Sequence, residues 1–295
     1  RTRLNILDDP KSLLARWIDD YLYVTTSLEK AKRFLDVMCE GHPEYGCIIS
    51  QEKTMTNFEH DSIQAVNVTD PGQKLDFPWC GLLINMSNLS VMANYSKYRG
   101  TDLAYSLTVD KRRRPGLIFT RKMLQLAKAR SHIIYTDTGL NGLHTAYVNV
   151  YQNSIISAIK MHHYLMSWGI NVAKNAKFLH ATIRQVTRYT HATIDVKSRS
   201  KVARANGGTC DLQKGSVIWW VIHFCRCTAP LIVEILRLGT HAFYTVLSKK
   251  HEVYGTSTLL KSLQFELSLS CNKRLKHRFK KVVKEGLEGV AALDF

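Results

Sequence analysis

Up to about residue 115 the apolar positions recur mainly every second residue, and beyond it they recur every three to four, so the period of the pattern divides the chain. In Leu14-Ala-Arg-Trp-Ile-Asp19-Asp20-Tyr-Leu-Tyr-Val-Thr25 the composition is aromatic and β-branched, with Leu14, Arg16 and Ile18 alternating on one side and Tyr21 and Tyr23 on the other. The pattern predicts two short strands with Asp19 and Asp20 at the hairpin tip. Thr26-Ser-Leu-Glu29 has capping-box spacing, and Leu28, Ala31, Leu35 and Met38 follow at helical intervals to a stop at Gly41. Tyr45 to Ile49 reads as the next strand, followed by a polar stretch over 50–54. Phe77 to Ile84 and Leu89 to Met92 flank Asn85-Met-Ser-Asn88, which predicts a second hairpin.

From Gly116 to Ile134 the residues Leu117, Thr120, Leu124, Ala127, Ser131 and Ile134 share one helical face, and Arg121, Gln125, Lys128 and His132 share another. The first face is expected to pack and the second to meet solvent or phosphate. Later helical patterns cover roughly 143–168, 175–196, 213–227, 230–249, 257–270 and 272–285, with breaks at 98–115 and at Asn206-Gly-Gly208. The expectation is an α+β chain: a small antiparallel sheet with a helix, then an all-helical region.

Charge sharpens the picture. The net charge is +17. Residues 1–60 hold 8 Lys and Arg against 10 Asp and Glu, whereas residues 61–295 hold 33 against 14. Such a field favours a polyanion, nucleic acid most simply or an anionic membrane surface. The run Val217 to Leu238 contains His223, Arg226, Pro230, Glu234 and Arg237, which leaves no uncharged stretch of about 18 residues and reads as buried helix. Seven cysteines (39, 47, 80, 210, 225, 227, 271) are odd in number and scattered, and they read as reduced thiols of an intracellular protein. Cys225-Arg-Cys227 lacks the second ligand pair of a zinc site. The first residue is Arg1, which suggests a start inside a longer polypeptide.

Asp19 and Asp20 are the first candidates for chemistry. Adjacent carboxylates repel, and a tight turn between apolar strands supplies no internal cation, so a divalent metal is the natural counter-charge. Mg²⁺ takes hard oxygen ligands and leaves positions open for phosphate oxygens. The plainer reading is a turn dipeptide, since Asp favours turns. Asp8-Asp9-Pro10, in a polar stretch, reads as such a turn.

The motifs together resemble the C-terminal part of the telomerase reverse transcriptase family. Leu14 to Thr25 looks like motif C of the palm. Pro43-Glu-Tyr-Gly-Cys-Ile-Ile, with Glu52-Lys-Thr54 and Asn57-Phe58, looks like motif D. Phe77-Pro-Trp-Cys-Gly-Leu-Leu-Ile84 looks like motif E, the primer grip, in its telomerase form. Tyr95-Ser-Lys-Tyr98 and the later helices fit the C-terminal extension, or thumb. The resemblance implies a partial palm over residues 1–97 and a helical thumb over 98–295. It also implies that fingers, RNA-binding domain, motif A and motif B′ belong upstream of Arg1, so the active site here is incomplete.

By that resemblance the parent enzyme is an RNA-directed DNA polymerase, a nucleotidyltransferase that adds telomeric repeats to a DNA 3′ end by a two-metal mechanism with Mg²⁺. Asp19 would be the direct metal ligand and Asp20 a secondary or orienting one. Lys53 would stabilise or protonate the departing pyrophosphate, or else is a solvated loop lysine. Trp79, Cys80, Gly81 and Leu82 would hold the primer end, the alternative for Trp79 being core packing. Lys111, Arg112, Arg113, Arg114, Arg121 and Lys128 would contact the backbone of an RNA–DNA hybrid; between 111 and 130 there are eight Lys and Arg and no acid. The segments 197–204 and 273–284 read equally as solubilising charge or a nuclear-import address.

The implied partners are the telomerase RNA template, a telomeric DNA primer, deoxynucleoside triphosphates and the rest of the polypeptide, at the telomeres of nuclear chromosomes, with no membrane. The other readings are a non-catalytic module that grips RNA–DNA duplex, and a retroelement or group II intron enzyme.

Overall fold

The computed structural model describes residues 9–41, 46, 48–60, 63, 76–109, 114–198, 230–255, 257–269 and 275–293. The helix expected over 213–227, the linker at 206–208, and the cations Lys111, Arg112 and Arg113 lie outside them. The chain divides into two compact units, Arg1–Asn88 and Leu89–Phe295.

In the first unit β1 (Ser12–Trp17) and β2 (Asp20–Thr25) form an antiparallel hairpin, from Ser12 opposite Thr25 to Trp17 opposite Asp20. The turn is Ile18-Asp19, one residue earlier than the alternation suggests. Ile18 leaves the strand for the left-handed region at φ 55, and Asp20 becomes the first residue of β2. Helix α1 (Leu28–Glu40) starts at Ser27, whose side chain accepts from Lys30 N, so the cap sits one residue beyond the expected Thr26. It ends at Gly41 with φ 65, as expected. Leu35 is its buried residue, and Phe34 stacks on Tyr23 of β2 with centroids 4.6 Å apart.

Two strand expectations need correction. Around Tyr45–Ile49 the described residues form no strand: Gly46 is in a turn, and Ile48 is 77% exposed, with no neighbouring strand to hydrogen-bond. Phe77–Ile84 is not one strand but two, β3 (Asp76–Trp79) and β4 (Leu82–Asn85), because Cys80-Gly81 makes a two-residue reversal. Asn85 Oδ1 then accepts from Ser87 N and Asn88 N, which builds the turn that follows.

The second unit comprises β5 (Val91–Ala93), α2 (Pro115–Arg130), α3 (Thr138–Trp168), α4 (Val172–Ser198), α5 (Pro230–Lys249), the short α6 (His251–Tyr254), α7 (Thr258–Leu269) and α8 (Leu275–Gly289). Helix α3 is its axis. Tyr147, Tyr151, Ile155, Ile156, Ile159, Met161 and Leu165 are fully buried around its circumference, because α2, α5 and α8 pack on different sides of it. It bends at Gly142 (φ 64) and stops at Gly169, which takes the left-handed cap.

Three asparagines on α3 tie down neighbouring irregular chain. Asn141 Oδ1 accepts from Val91 N (2.6 Å), and its Nδ2 donates to Ile134 O (2.7 Å). Asn149 Nδ2 donates to Val91 O (2.9 Å) and to Tyr135 O (3.0 Å). Asn153 accepts from the Tyr95 hydroxyl (2.7 Å) and donates to Arg130 O (3.0 Å). Both backbone polar groups of Val91 are thereby satisfied by side chains, as buried peptide groups must be.

Helix α2 is rotated relative to expectation. It packs through Phe119, Met123 and Ala127, while Leu117 is 45% exposed. Its apolar residues are spread around the axis, so the partners α3 and α4, rather than its own amphipathicity, select the buried side. The basic face is where the spacing puts it, with Arg121, Gln125, Lys128 and His132 all exposed.

Candidate functional site

The β1–β2 tip presents two carboxylates to solvent. Asp19 is the second loop residue and Asp20 faces Trp17 across the hairpin. Among the described residues neither makes an ion pair. The nearest arginine in sequence is engaged otherwise: Arg16 Nε donates to Ile18 O (2.8 Å) and the guanidinium carbon lies 5.3 Å from the Tyr21 ring centroid. Asp9 is the opposite case. Lys30 Nζ reaches its Oδ2 at 2.6 Å, Ser12 donates to it as well, and these bonds hold its carboxyl down at about 2. Its charge is answered within the unit, whereas those of Asp19 and Asp20 are not.

The β3–β4 tip is a mirror-image turn with positive φ at both central residues, Cys80 (φ 47) and Gly81 (φ 79). Trp79 and Leu82 close it as a cross-strand pair. The Trp79 indole Nε1 is buried without a hydrogen-bond partner among the described residues, while Leu82 and Leu83 are half-buried. The two tips meet in one bond, from Cys80 Sγ to Asp20 Oδ2 at 3.4 Å. Burial pushes the Cys80 thiol up to about 11, and the Asp20 carboxylate adds to that rise, so the sulfur is a donor at neutral pH.

The sequence thus leads to two tips that the fold joins, with Asp19, Asp20, Trp79, Cys80, Gly81 and Leu82 in one neighbourhood. Lys53 is on the surface of a single 3-10 turn, Gln51–Lys53, and its ammonium group makes no hydrogen bond or ion pair among the described residues. Two exposed, unpaired carboxylates are hard donors suited to a divalent cation of the Mg²⁺ kind. No group of three or more His, Cys, Asp or Glu side chains able to hold a metal occurs among the described residues.

The basic surface lies in the second unit. Arg114 is exposed at the start of α2, and Arg121 and Lys128 project from the same helix, which carries no acid. Helix α4 runs alongside in the same direction: the Phe178 ring lies 3.5 Å from a Cβ built on Gly116, and Lys197 Nζ donates to Lys128 O at 3.4 Å. Lys174, Lys177 and Arg188 are exposed on α4, whose sole acid is Asp195. Arg184 is taken up by Glu266, Nε to Oε1 3.2 Å. Where α2 ends, the cations crowd. Burial and then the Lys128 charge lower the Lys197 ammonium, and burial and then Lys197 lower His132.

Sequence reasoning missed two features. The Cys80–Asp20 contact spans 60 positions, and no local pattern announces it. The α4 cations Lys174 and Lys177 carry no local signal that sets them apart from an ordinary solvated face; that α4 runs along α2 exists only in the packed helices. Among the described residues no helix is long and apolar enough to cross a membrane.

Comparison with known proteins bears on the chain's family. Residues 118–264 match the family model described as "Telomerase reverse transcriptase, C-terminal extension". The telomerase reverse transcriptase of Takifugu rubripes is 31% identical over 229 residues, covering 76% of this chain and 21% of the relative. That of Rattus norvegicus is 32% identical over 212 residues, 70% of this chain and 19% of the relative. That of Oryzias latipes is 30% identical over 250 residues, 83% of this chain and 21% of the relative. The chain spans about a fifth of the length of the curated relatives it matches. On these matches the chain belongs to the telomerase reverse transcriptase family.

Proposed function

We propose that this chain supplies part of the palm and the thumb of an RNA-directed DNA polymerase that extends a DNA 3′ end on an RNA template. The observation that carries the proposal is the pair of exposed carboxylates, without an ion pair among the described residues, one of which, Asp20, is bonded to the tip of a hairpin with primer-grip sequence. Asp19 and Asp20 would hold the divalent cation, Mg²⁺, with Asp19 the direct ligand, and that ion would supply Lewis acidity to the primer hydroxyl and counter-charge to the departing pyrophosphate.

The remaining roles belong to the chain's own groups. Lys53 offers its ammonium to the departing pyrophosphate. Gly81 lets backbone approach the primer sugar-phosphate closely, and Trp79 and Leu82 give it an apolar rest. Arg114, Arg121 and Lys128, with Lys111, Arg112 and Arg113 just before them, track the phosphates of the hybrid. Such contacts hold register and carry no sequence information, so the repeat is read from the RNA. The partners are that RNA, a telomeric DNA primer, deoxynucleoside triphosphates and the rest of the polypeptide, and the place of work is the telomere in the nucleus.

Because Asp19 and Asp20 do not complete a metal site among the described residues, our reading is that the chain alone is inactive and acts as a duplex-binding module. In the full-length enzyme with its RNA, Asp19→Ala abolishes primer extension while primer binding stays within about twofold. Extension at the wild-type rate would remove Asp19 from the metal site.

A further inference from the structure

We propose that Cys80 is a positioning residue for the Asp20 carboxylate, its thiol acting as the strut through which the β3–β4 tip sets how the β1–β2 tip presents its two acids. The inference rests on the reading of Asp19 and Asp20 given above. It adds a role for a side chain that a primer grip does not otherwise need, since Gly81 and the flanking backbone already provide the close approach.

The geometry has three parts. Asp20 is exposed, and among the described residues its one hydrogen-bond donor is Cys80 Sγ at 3.4 Å. An exposed carboxylate without a partner samples several staggered rotamers, so a single fixed donor narrows where its oxygens point. Cys80 also occupies the turn at a cost. At φ 47 a residue with a Cβ is disfavoured, and Asn, Asp or Gly would sit there more easily. Its side chain makes no bond back to its own turn that would offset this, and reaches instead to the other hairpin. The opposing tip is constrained in the same way, with β-branched Ile18 at φ 55 directly before Asp19 and Arg16 pinning the Ile18 carbonyl. Backbone strain of this kind persists where surrounding structure over-determines it. Here each tip holds the other.

The strain makes the test clean. Cys80→Gly removes the thiol and relieves the left-handed conformation, so the variant folds at least as well as the parent; a merely structural cysteine would show no loss. In the full-length enzyme with its RNA, Cys80→Gly lowers kcat about three- to tenfold, the worth of one hydrogen bond, with primer KM within twofold and the melting temperature unchanged or raised. Cys80→Ser keeps a donor and recovers kcat to within about twofold. In an Asp20→Asn background Cys80→Gly adds less than twofold, because the strut no longer has its target.

A readout independent of turnover is Mn²⁺ binding to the primer-free protein, followed by electron paramagnetic resonance with Mg²⁺ as competitor: Cys80→Gly weakens it several-fold and Cys80→Ser restores it. Unchanged kcat and Mn²⁺ affinity in Cys80→Gly, or a rise confined to primer KM, overturns the proposal. Asp19→Ala separates the two levels, for if it leaves extension intact the metal reading itself fails, whereas a dead Asp19→Ala beside a neutral Cys80→Gly sinks only the strut.

Discussion

A methyl group added at Gly286 would collide with Cδ1 of the Tyr151 ring, whereas one added at Gly116 would meet the Phe178 ring at an ordinary 3.5 Å. Tyr151 is fully buried on α3, with its hydroxyl bonded to His241 Nδ1 at 3.0 Å, so the ring has nowhere to retreat. Gly286 is therefore what lets α8 approach α3 closely. Gly286→Ala should cost about 1–3 kcal/mol, the usual penalty for overpacking. Gly116→Ala, with room for the methyl and a better helix former in place, should be neutral or stabilising. Urea midpoints of the two variants check this, and equal midpoints would mean that α8 can shift without cost.

At the scale of elements the buried histidines set the acid limit of the helical unit. Burial lowers His162 on α3 to about 4, with His163 and Lys250 contributing, and its Nδ1 meets the Tyr254 hydroxyl of α6 at 3.1 Å. Burial lowers His241 on α5 to about 4, with Arg237 contributing. Both fold neutral while the unfolded chain protonates near 6.5, so between those values the unfolded state binds more protons. Stability is fully present above about 6.5, falls as pH drops towards 4, and gains nothing further from these groups at lower pH. His241→Gln should flatten the urea midpoint against pH across that window, and an unchanged slope would mean that His241 does not fold neutral. Such pairs also show what a sequence does and does not make legible. The β1–β2 hairpin and the start of α1, each to within one residue, and the stops of α1 at Gly41 and of α3 at Gly169 follow from local spacing and capping, because their determinants are a few residues apart. The rotated face of α2 and the bonds from Asn141 and Asn149 to Val91 and from Asn153 to Tyr95 depend on partners tens of residues away. Of the site, the residue types were readable, and the bond that joins Cys80 to Asp20 was not.

For the whole molecule the decisive quantity is not the +17 charge but how it is distributed. On α8 Lys281 has an acid beside it: its Nζ lies 3.9 Å from Glu285 Oε1, and Glu285 also holds His144 of α3 at 2.7 Å. On α2 and the adjoining stretch of α4, Arg121, Lys128, Lys174 and Lys177 are exposed with no acid between them. A cation already paired releases no counterion from a nucleic acid, whereas an unpaired one that neutralises a phosphate does, and each such contact adds roughly 0.9 to the slope of log K against log salt on duplex. Replacing Arg121, Lys128, Lys174 and Lys177 by Ala should therefore flatten the slope for RNA–DNA duplex binding by roughly 3 to 4. Replacing Lys281, whose charge Glu285 already meets, should change it by less than about 0.5, although it too lowers the net charge. Binding measured by fluorescence anisotropy from 50 to 300 mM salt distinguishes a located phosphate track from diffuse attraction: if the two sets of variants shift the slope in proportion to the charge removed, the α2–α4 face is not the interface.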